Sequence, residues 1–180
     1  MEKIGRFKIY WTVRRLAKEI QANHKDEEIV LIGVLKGAYQ FMADLSRRFP
    51  DNTKVDFIGA RSYDKTKSTG NVQLTLSPSV NVAGAVVILV EDIIDTGLTM
   101  KELKYMLLAK GAKKVEVCTL LNKQSGRTVN FNADYIGIEI GDDFVAGYGM
   151  DYMDYYRGNR TIRTLSQAEI DNGGPIKKRH

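Results

Sequence analysis

Residues 86–100, which read VVILVEDIIDTGLTM, constrain the fold of this chain more than any other stretch. They begin as a run of β-branched and aliphatic residues, a pattern typical of a strand buried on both faces of a parallel sheet. Three carboxylates follow within the next five residues: Glu91, Asp92 and Asp95. Because a desolvated carboxylate is costly unless something compensates it, the fold must bring a compensating group to this strand end.

The rest of the chain alternates apolar strand patterns with helical patterns. Apolar spacings of three and four predict helices over about residues 9–23, 38–49 and 100–110, and apolar runs predict strands at 29–34, 55–63, 72–76, 115–121 and 135–140. This order is typical of an α/β protein whose mostly parallel sheet is covered by helices on both faces. Ligands bind at the carboxyl ends of the strands in such sheets, so we expect Lys36, Gly37 and Lys123 to lie near the three carboxylates.

The composition indicates one globular domain. The chain has 180 residues, of which 43% are hydrophobic and 27% charged, values that argue against disorder. A net charge of +5 suits an anionic partner. The sequence has no pattern of aromatic and basic residues typical of nucleic-acid binding, so we expect no nucleic-acid partner. The single cysteine, Cys118, excludes a disulfide framework. The charged N-terminus and the lack of any apolar run of about 18 residues predict a cytoplasmic enzyme or regulator and no membrane partner.

The turn at residues 95–99 has two interpretations. Its glycine and two threonines, running into a helix, offer backbone N–H groups and a positive dipole end to a phosphate. Taken alone, the turn is better explained by Thr99 as an ordinary N-cap. The adjacent Glu91 and Asp92 favour the phosphate site, since acids beside it require a metal or ribose hydroxyls between them. A nucleotide-hydrolase metal strand is excluded because the chain has no G-x-x-x-x-G-K-[ST] loop.

Five segments in the right order, together spanning about residues 30 to 160, resemble the type I phosphoribosyltransferases, most closely the hypoxanthine-guanine phosphoribosyltransferases. The signature for phosphoribosyl diphosphate (PRPP) is VILVEDIIDTGLT. The other segments are VLKGAYQFMADL for the diphosphate loop, RSYDKTKSTG for a flexible catalytic loop, LLNK for a strand-end lysine and FVAGYGMDYMDYYR for purine binding. Five chance matches in this order are negligible.

The resemblance implies a reaction and a fold. The reaction is Mg²⁺-dependent transfer of the 5-phosphoribosyl group from PRPP to N9 of hypoxanthine or guanine, giving IMP or GMP and pyrophosphate in purine salvage. The fold is a mostly parallel twisted sheet flanked by helices, with a small hood and a flexible loop hairpin. We expect one domain over residues 1–165, a disordered tail over 166–180, and a homodimer or homotetramer.

The resemblance also implies the role of each matching residue. Asp95 would accept the purine N7 proton, and residues 95–99 would bind the 5′-phosphate. Glu91 and Asp92 would bind the ribose hydroxyls and Mg²⁺. The residues implied for the 5′-phosphate are Asp95, Thr96, Gly97, Leu98 and Thr99. Those implied for pyrophosphate are Lys36, Gly37 and Arg157, with a cis peptide before Lys36, and those implied for the purine are Lys123, Phe144, Val145 and Asp151. Asp151 would also serve a second Mg²⁺, and Ser62 and Tyr63 would belong to the flexible loop.

Alternatives remain for function and for single residues. A xanthine-preferring enzyme fits the same motifs, and so does a non-catalytic PRPP- or nucleotide-binding regulator of this fold. Asp95 argues against the regulator, whose signature is often apolar there, and Lys123 argues against an adenine enzyme. Phe144 could instead belong to the core, Arg157 to the surface, and Lys123 could face solvent. The residues after Arg157 and the segment at 77–84 depart from the family pattern.

Overall fold

A computed structural model of the protein describes residues 3–62 and 72–175, with the backbone alone at 61, 62 and 72. Its elements, in chain order, are β1 (Lys3–Ile4), α1 (Arg6–Asn23), β2 (Ile29–Leu35), α2 (Tyr39–Ser46), β3 (Lys54–Ser62), β4 (Val72–Leu76), β5 (Val86–Ile94), α3 (Leu98–Ala109), β6 (Lys114–Asn122), a 3-10 turn (Gln124–Gly126), β7 (Tyr135–Glu139), β8 (Val145–Ala146), β9 (Ile162–Thr164) and α4 (Gln167–Asp171).

The main sheet has six strands in the order β4-β3-β2-β5-β6-β7. Neighbouring strands from β3 to β7 are parallel, and only the β3–β4 pair is antiparallel. The α/β class, the parallel sheet and the hairpin arm at 72–76 are therefore confirmed. Because β2, β5 and β6 lie side by side, the residues that follow Leu35, Ile94 and Asn122 meet at one edge. The loop at 63–71, with Tyr63 and the predicted flexible loop, lies outside the described residues.

Strand β5 has apolar partners on both faces, which explains its uninterrupted run. Val86, Ile88 and Val90 pack into a core shared with α1 and α2. Val87 and Leu89 point the opposite way, into a second core that includes the buried face of α3. All five side chains are buried. The strand is therefore fixed from both sides, and its polar end is held at a defined position.

A second, three-stranded sheet in the order β1-β9-β8 forms the hood. Its pairs are antiparallel, and β8 is an edge strand. Ile4, Val145 and Ile162 join the hood to the core beneath α1.

The segment 166–175 differs from the disordered tail that we expect from its composition. Residues 167–171 form α4, because Ser166 and Glu169 make a reciprocal capping box. The Glu169 carboxylate also accepts hydrogen bonds from Arg163 and Tyr156, and the hydrogen bond from Arg163 is the main reason that its pKa lies below the usual range. Within the described ranges, no helix is long and apolar enough to cross a membrane.

Candidate active site

Two cavities open at the carboxyl edge of the main sheet, and they share Ile93 and Asp95. The first, of about 250 Å³, lies beside the turn at 95–99, and the second, of about 240 Å³, lies beside the hood. The first is lined by Val34, Leu35, Ala60, Glu91, Thr96, Gly97, Thr99 and others; the second by Asp92, Lys123, Asp143, Phe144, Val145, Met150 and Asp151. The carboxylates of β5, most of the turn at 95–99 and the predicted purine residues thus divide into two adjoining spaces, and Asp95 lines both.

The two acids at the end of β5 face different cavities. Side chains alternate along a strand, so Glu91 lines the first cavity and Asp92 the second. Asp92 is buried and packs against Gly37, where an added Cβ would lie 1.9 Å from Asp92 Oδ2. Only glycine fits at that position. The predicted diphosphate loop therefore contacts the signature strand directly.

The electrostatics of this pair fit a cation. Burial, and then the hydrogen bond and charge of Asp92, raise the pKa of Glu91 well above its usual range. Neither carboxylate forms an ion pair with another described residue. Within the described ranges, no three His, Cys, Asp or Glu side chains are grouped so as to hold a metal by themselves. Mg²⁺ is commonly bound by one or two carboxylates together with substrate oxygens, and Glu91 and Asp92 offer one such carboxylate to each cavity.

The turn at 95–99 presents the N-terminus of α3 to the first cavity. Gly97 is the N-cap, in the left-handed region at φ +80°, with Phe131 packed beneath it. The first helical backbone bond runs from Lys101 N to Gly97 O (3.0 Å), so the N–H groups of Thr99 and Met100 have no acceptor within the helix. Such a terminus suits an anion.

Lys123 projects into the second cavity. Its side chain is 16% exposed, and its Nζ lies 3.8 Å from Asp95 Oδ2 and 3.9 Å from Asp142 Oδ1. The alternative in which Lys123 faces solvent does not agree with this burial. Gly126 packs against Asp95, and an added Cβ there would overlap the Asp95 carboxylate. The sequence gives no local signal for this contact, because the two residues are far apart along the chain.

An aromatic ring and a free strand edge complete the second cavity. Phe144 is 58% exposed and makes an edge-to-face contact with Tyr152, so it is not a core residue. Leu165 N donates to Phe144 O (2.8 Å), and Val145 is paired with Thr164. Because bonded and non-bonded pairs alternate in antiparallel ladders, Val145 turns its backbone N–H and C=O away from β9, toward the open edge of β8.

The predicted pyrophosphate residues lie close together, but their charges are paired with aspartates. The Leu35–Lys36 peptide is cis, as the resemblance implies. Lys36 Nζ lies 3.6 Å from Asp154 Oδ1. Arg157 Nη2 lies 2.7 Å from Asp151 Oδ1 and 3.3 Å from Asp154 Oδ1. Asp151 and Arg157, which we expect to serve a second Mg²⁺ and pyrophosphate, are thus bound to each other in this structure.

Comparison with known proteins agrees with this geometry. The phosphoribosyl transferase domain family matches residues 6–153. The chain is 45% identical over 147 residues to a hypoxanthine-guanine phosphoribosyltransferase of Aquifex aeolicus (strain VF5), covering 81% of this chain and 83% of that protein. It is 38% identical over 161 residues to the enzyme of the same name from Bacillus subtilis (strain 168), covering 89% of each.

Solved structures show the same similarity. A hypoxanthine-guanine phosphoribosyltransferase from Bacillus anthracis, crystallised with HEPES in its active site, superposes with a TM-score of 0.87 at 40% identity, covering 92% of this chain and 98% of that one. A hypoxanthine phosphoribosyl transferase of Trypanosoma cruzi superposes with a TM-score of 0.89 at 34% identity, covering 96% and 94%.

Proposed function

The chain belongs to the phosphoribosyl transferase family, and we propose that it transfers the 5-phosphoribosyl group of PRPP to N9 of hypoxanthine or guanine. The products would be IMP or GMP and pyrophosphate, a step of purine salvage. The observation that carries the proposal is the pair of cavities that meet at Asp95. One is suited to a phosphorylated sugar and the other to a flat base, and the bond between base and sugar would form where they join.

We propose that Asp95 accepts the proton from purine N7 as N9 attacks the ribose C1′. Its side chain is 52% exposed, so it can be reached from the cavities, and Lys123 lies beside it. A carboxylate held within hydrogen-bond reach of the reacting base is suited to general-base catalysis. The leaving group is pyrophosphate, and the bond from C1′ to its oxygen breaks as the bond to N9 forms.

The base would be recognised by three groups around the second cavity. Lys123 would donate to the purine O6, since an ammonium carries only donors. Phe144 would stack on the ring with its exposed face. Val145 would bind the edge of the purine through its backbone, because its N–H and C=O face the open side of β8.

PRPP would occupy the first cavity and the loop beside it. The amides and hydroxyls of residues 95–99 would hold the 5′-phosphate, and Glu91 and Asp92 would bind the ribose hydroxyls and Mg²⁺. Bound there, Mg²⁺ would neutralise the charge that develops on the diphosphate. Lys36, Gly37 and Arg157 would hold the diphosphate, and Asp151 a second Mg²⁺. For that, the Asp151–Arg157 ion pair must open, since both partners are needed by the ligand.

We also propose that the protein is a homodimer or a homotetramer. Support comes from three large side chains that α1 leaves exposed: Phe7 (69%), Tyr10 (47%) and Trp11 (57%). They border a groove of about 690 Å³ between α1 and α2. Exposed apolar patches of this kind often mark protein interfaces. Sedimentation of the purified chain measures the assembly, and a monomer at micromolar concentration would contradict this part of the proposal.

A panel of purines tests the proposed reaction. With PRPP and Mg²⁺, we expect hypoxanthine and guanine to be converted to nucleotides, followed by absorbance, and adenine to be rejected by roughly 10⁴-fold in kcat/KM. Adenine has an amino group at position 6, so it would face Lys123 donor to donor and leave a buried charged donor unpaired. Lys123→Met should reduce the discrimination by weakening the oxopurines. Comparable kcat/KM for adenine and hypoxanthine in the native enzyme would refute the assignment.

A further inference from the structure

Arg127 makes three hydrogen bonds to three different segments around the site. Its Nη1 donates to the backbone carbonyl of Asp95, its Nη2 to the Asn122 side chain and its Nε to the carbonyl of Phe131 (3.0 Å). A guanidinium is a planar fork of donors, and here each nitrogen has its own acceptor. One side chain thus connects the signature turn, the end of β6 and the loop that follows it.

The side chain of Asn122 fixes the position of the Arg127 guanidinium. This residue is 1% exposed, and its Nδ2 donates to both carboxylate oxygens of Glu139 at 3.0 and 2.9 Å. That leaves its Oδ1 to accept from Arg127, so the amide orientation is fixed by two partners. A chain of hydrogen bonds therefore runs from Glu139 on β7, through Asn122 and Arg127, to the peptide of Asp95.

Other contacts of the same segment converge on the same turn. Thr128 N donates to Thr96 O (3.2 Å). Gly97 leaves room for Phe131 and for the Arg127 side chain, and Gly126 packs against the Asp95 carboxylate. The segment 124–131 therefore holds Asp95 at both its backbone and its side chain. Arg127 lines neither cavity, which separates it from groups placed to touch substrate.

We propose that Arg127 is a positioning residue for the proposed reaction, acting through Asp95 by fixing the peptide from which the catalytic carboxylate extends. This inference rests on the proposed function of Asp95. A displacement of about 1 Å in a reacting group can cost roughly 10²-fold in rate. Loss of the bond to the Asp95 carbonyl removes the only side-chain hydrogen bond that the described residues give to this peptide.

A double-mutant comparison of single-turnover rates tests this role. We expect Arg127→Met to slow nucleotide formation by about 10²-fold, since it removes all three donors. In an Asp95→Asn background the same change should cost less than about threefold, because residues that act through one group are strongly non-additive. Arg127→Lys should recover part of the loss. Arg47→Met, which removes an exposed arginine at the end of α2, is the matched control and should have no effect.

Three results from the Arg127 variants would overturn the inference. These are an unchanged rate in Arg127→Met, a loss that multiplies fully with that of Asp95→Asn, or an Arg127→Lys rate equal to that of Arg127→Met. If Arg127→Met does not fold, as judged by its Tm, Arg127→Lys carries the same comparison in both backgrounds. An unchanged single-turnover rate in Asp95→Asn alone would refute the proposed base and this inference with it. A slow Asp95→Asn with full additivity would refute only the role of Arg127.

Discussion

The two ends of the main sheet both bury acidic side chains, and they balance that charge in opposite ways. At the amino end, His24 lies between Glu27 and Glu116, with each ring nitrogen 2.6 Å from a carboxylate oxygen. Lys113 and Lys114 pair with the same two acids, and Tyr135 donates to Glu116 at 2.8 Å. Every charge of this cluster has a partner within the chain.

At the carboxyl end, the two acids at the end of β5 have no such balance. Glu91 and Asp92 have no ion pair among the described residues, and burial with mutual repulsion raises the pKa of Glu91. At the amino end the shifts run the other way: hydrogen bonds from Lys113 and then His24 lower the pKa of Glu27 to about 2. Buried acids that find their partners within the fold stabilise it, whereas buried acids left unpaired in a cleft indicate a missing ligand.

Removal of divalent metal gives the largest expected difference between the two ends. With excess chelator, nucleotide formation should be abolished, because PRPP would meet the uncompensated Glu91 and Asp92. The Tm in the absence of substrate should not change, since the amino-end cluster needs no metal. Full activity in excess chelator would contradict the assignment of these two acids.

Removing the proposed base should have the next largest effect. Asp95→Asn keeps the size of the side chain but not its proton acceptor, and we expect the single-turnover rate to fall by roughly 10²–10⁴-fold. Steady-state rates are a poorer measure, because product release is often limiting in such enzymes. Glu27→Gln at the opposite end is the matched control, and its rate should equal that of the native chain. An unaffected Asp95→Asn would place the base elsewhere.

Exchanging an acid for its amide at each end should separate stability from activity. Glu116→Gln removes the negative charge and one of the two acceptor oxygens that His24, Tyr135 and Lys114 share, so we expect a loss of about 1–3 kcal/mol in the free energy of unfolding and an unchanged KM. Glu91→Gln should leave stability equal or higher and raise the KM for PRPP by about 10–100-fold, comparable to other losses around metal sites. Denaturant unfolding and steady-state kinetics measure the two quantities. If both variants lost stability equally, the contrast between the ends would be wrong.

The pH dependence of stability should show the smallest effect, but it separates the contribution of one acid from that of the other. Burial alone would raise the pKa of Glu116, but hydrogen bonds from Lys114, Tyr135 and His24 outweigh it and lower the pKa. The stability from Glu116 is therefore fully present above its unfolded pKa of about 4.3 and is lost as pH falls below that value. Glu91, whose pKa is raised, has the opposite sign: its cost is relieved as pH falls toward about 4.3 from above.

Thermal unfolding across pH should therefore change shape in the two variants. Glu116→Gln should make the Tm less dependent on pH below about 4.3, and Glu91→Gln should make it less dependent on pH above about 4.3. Identical profiles for both variants and the native chain would mean that neither acid is linked to folding.

Much of the fold can be predicted from the sequence because its signals are local. The uninterrupted apolar run of β5 requires cover on both faces, and the structure provides two cores for it. The residues after Leu35, Ile94 and Asn122 converge because parallel neighbours end at one edge. The helix at 167–171, by contrast, is not predicted from the sequence. Its capping box is local, but Glu169 is also fixed by Arg163 and Tyr156, and composition alone indicates disorder there.

The candidate site can be predicted only where a short motif determines the local backbone geometry by itself. The turn at 95–99 and the Lys36–Gly37 loop are short motifs of this kind. The hydrogen bond of Arg127 to the Asp95 carbonyl spans 32 residues, and the ion pair of Arg157 with Asp151 depends on a loop whose path the sequence does not specify. Such contacts follow from the packed structure, since no periodicity in the sequence records them.

The open edge of β8 has a consequence for how base preference can change over time. In the proposed binding mode the purine edge meets the N–H and C=O of Val145, groups that every residue except proline carries. A codon change at position 145 therefore replaces a side chain but leaves the recognised atoms in place. Substitutions at this position should therefore leave the base preference unchanged. A new preference has to arise from Lys123, from the ring at position 144, or from insertions that move the strand itself.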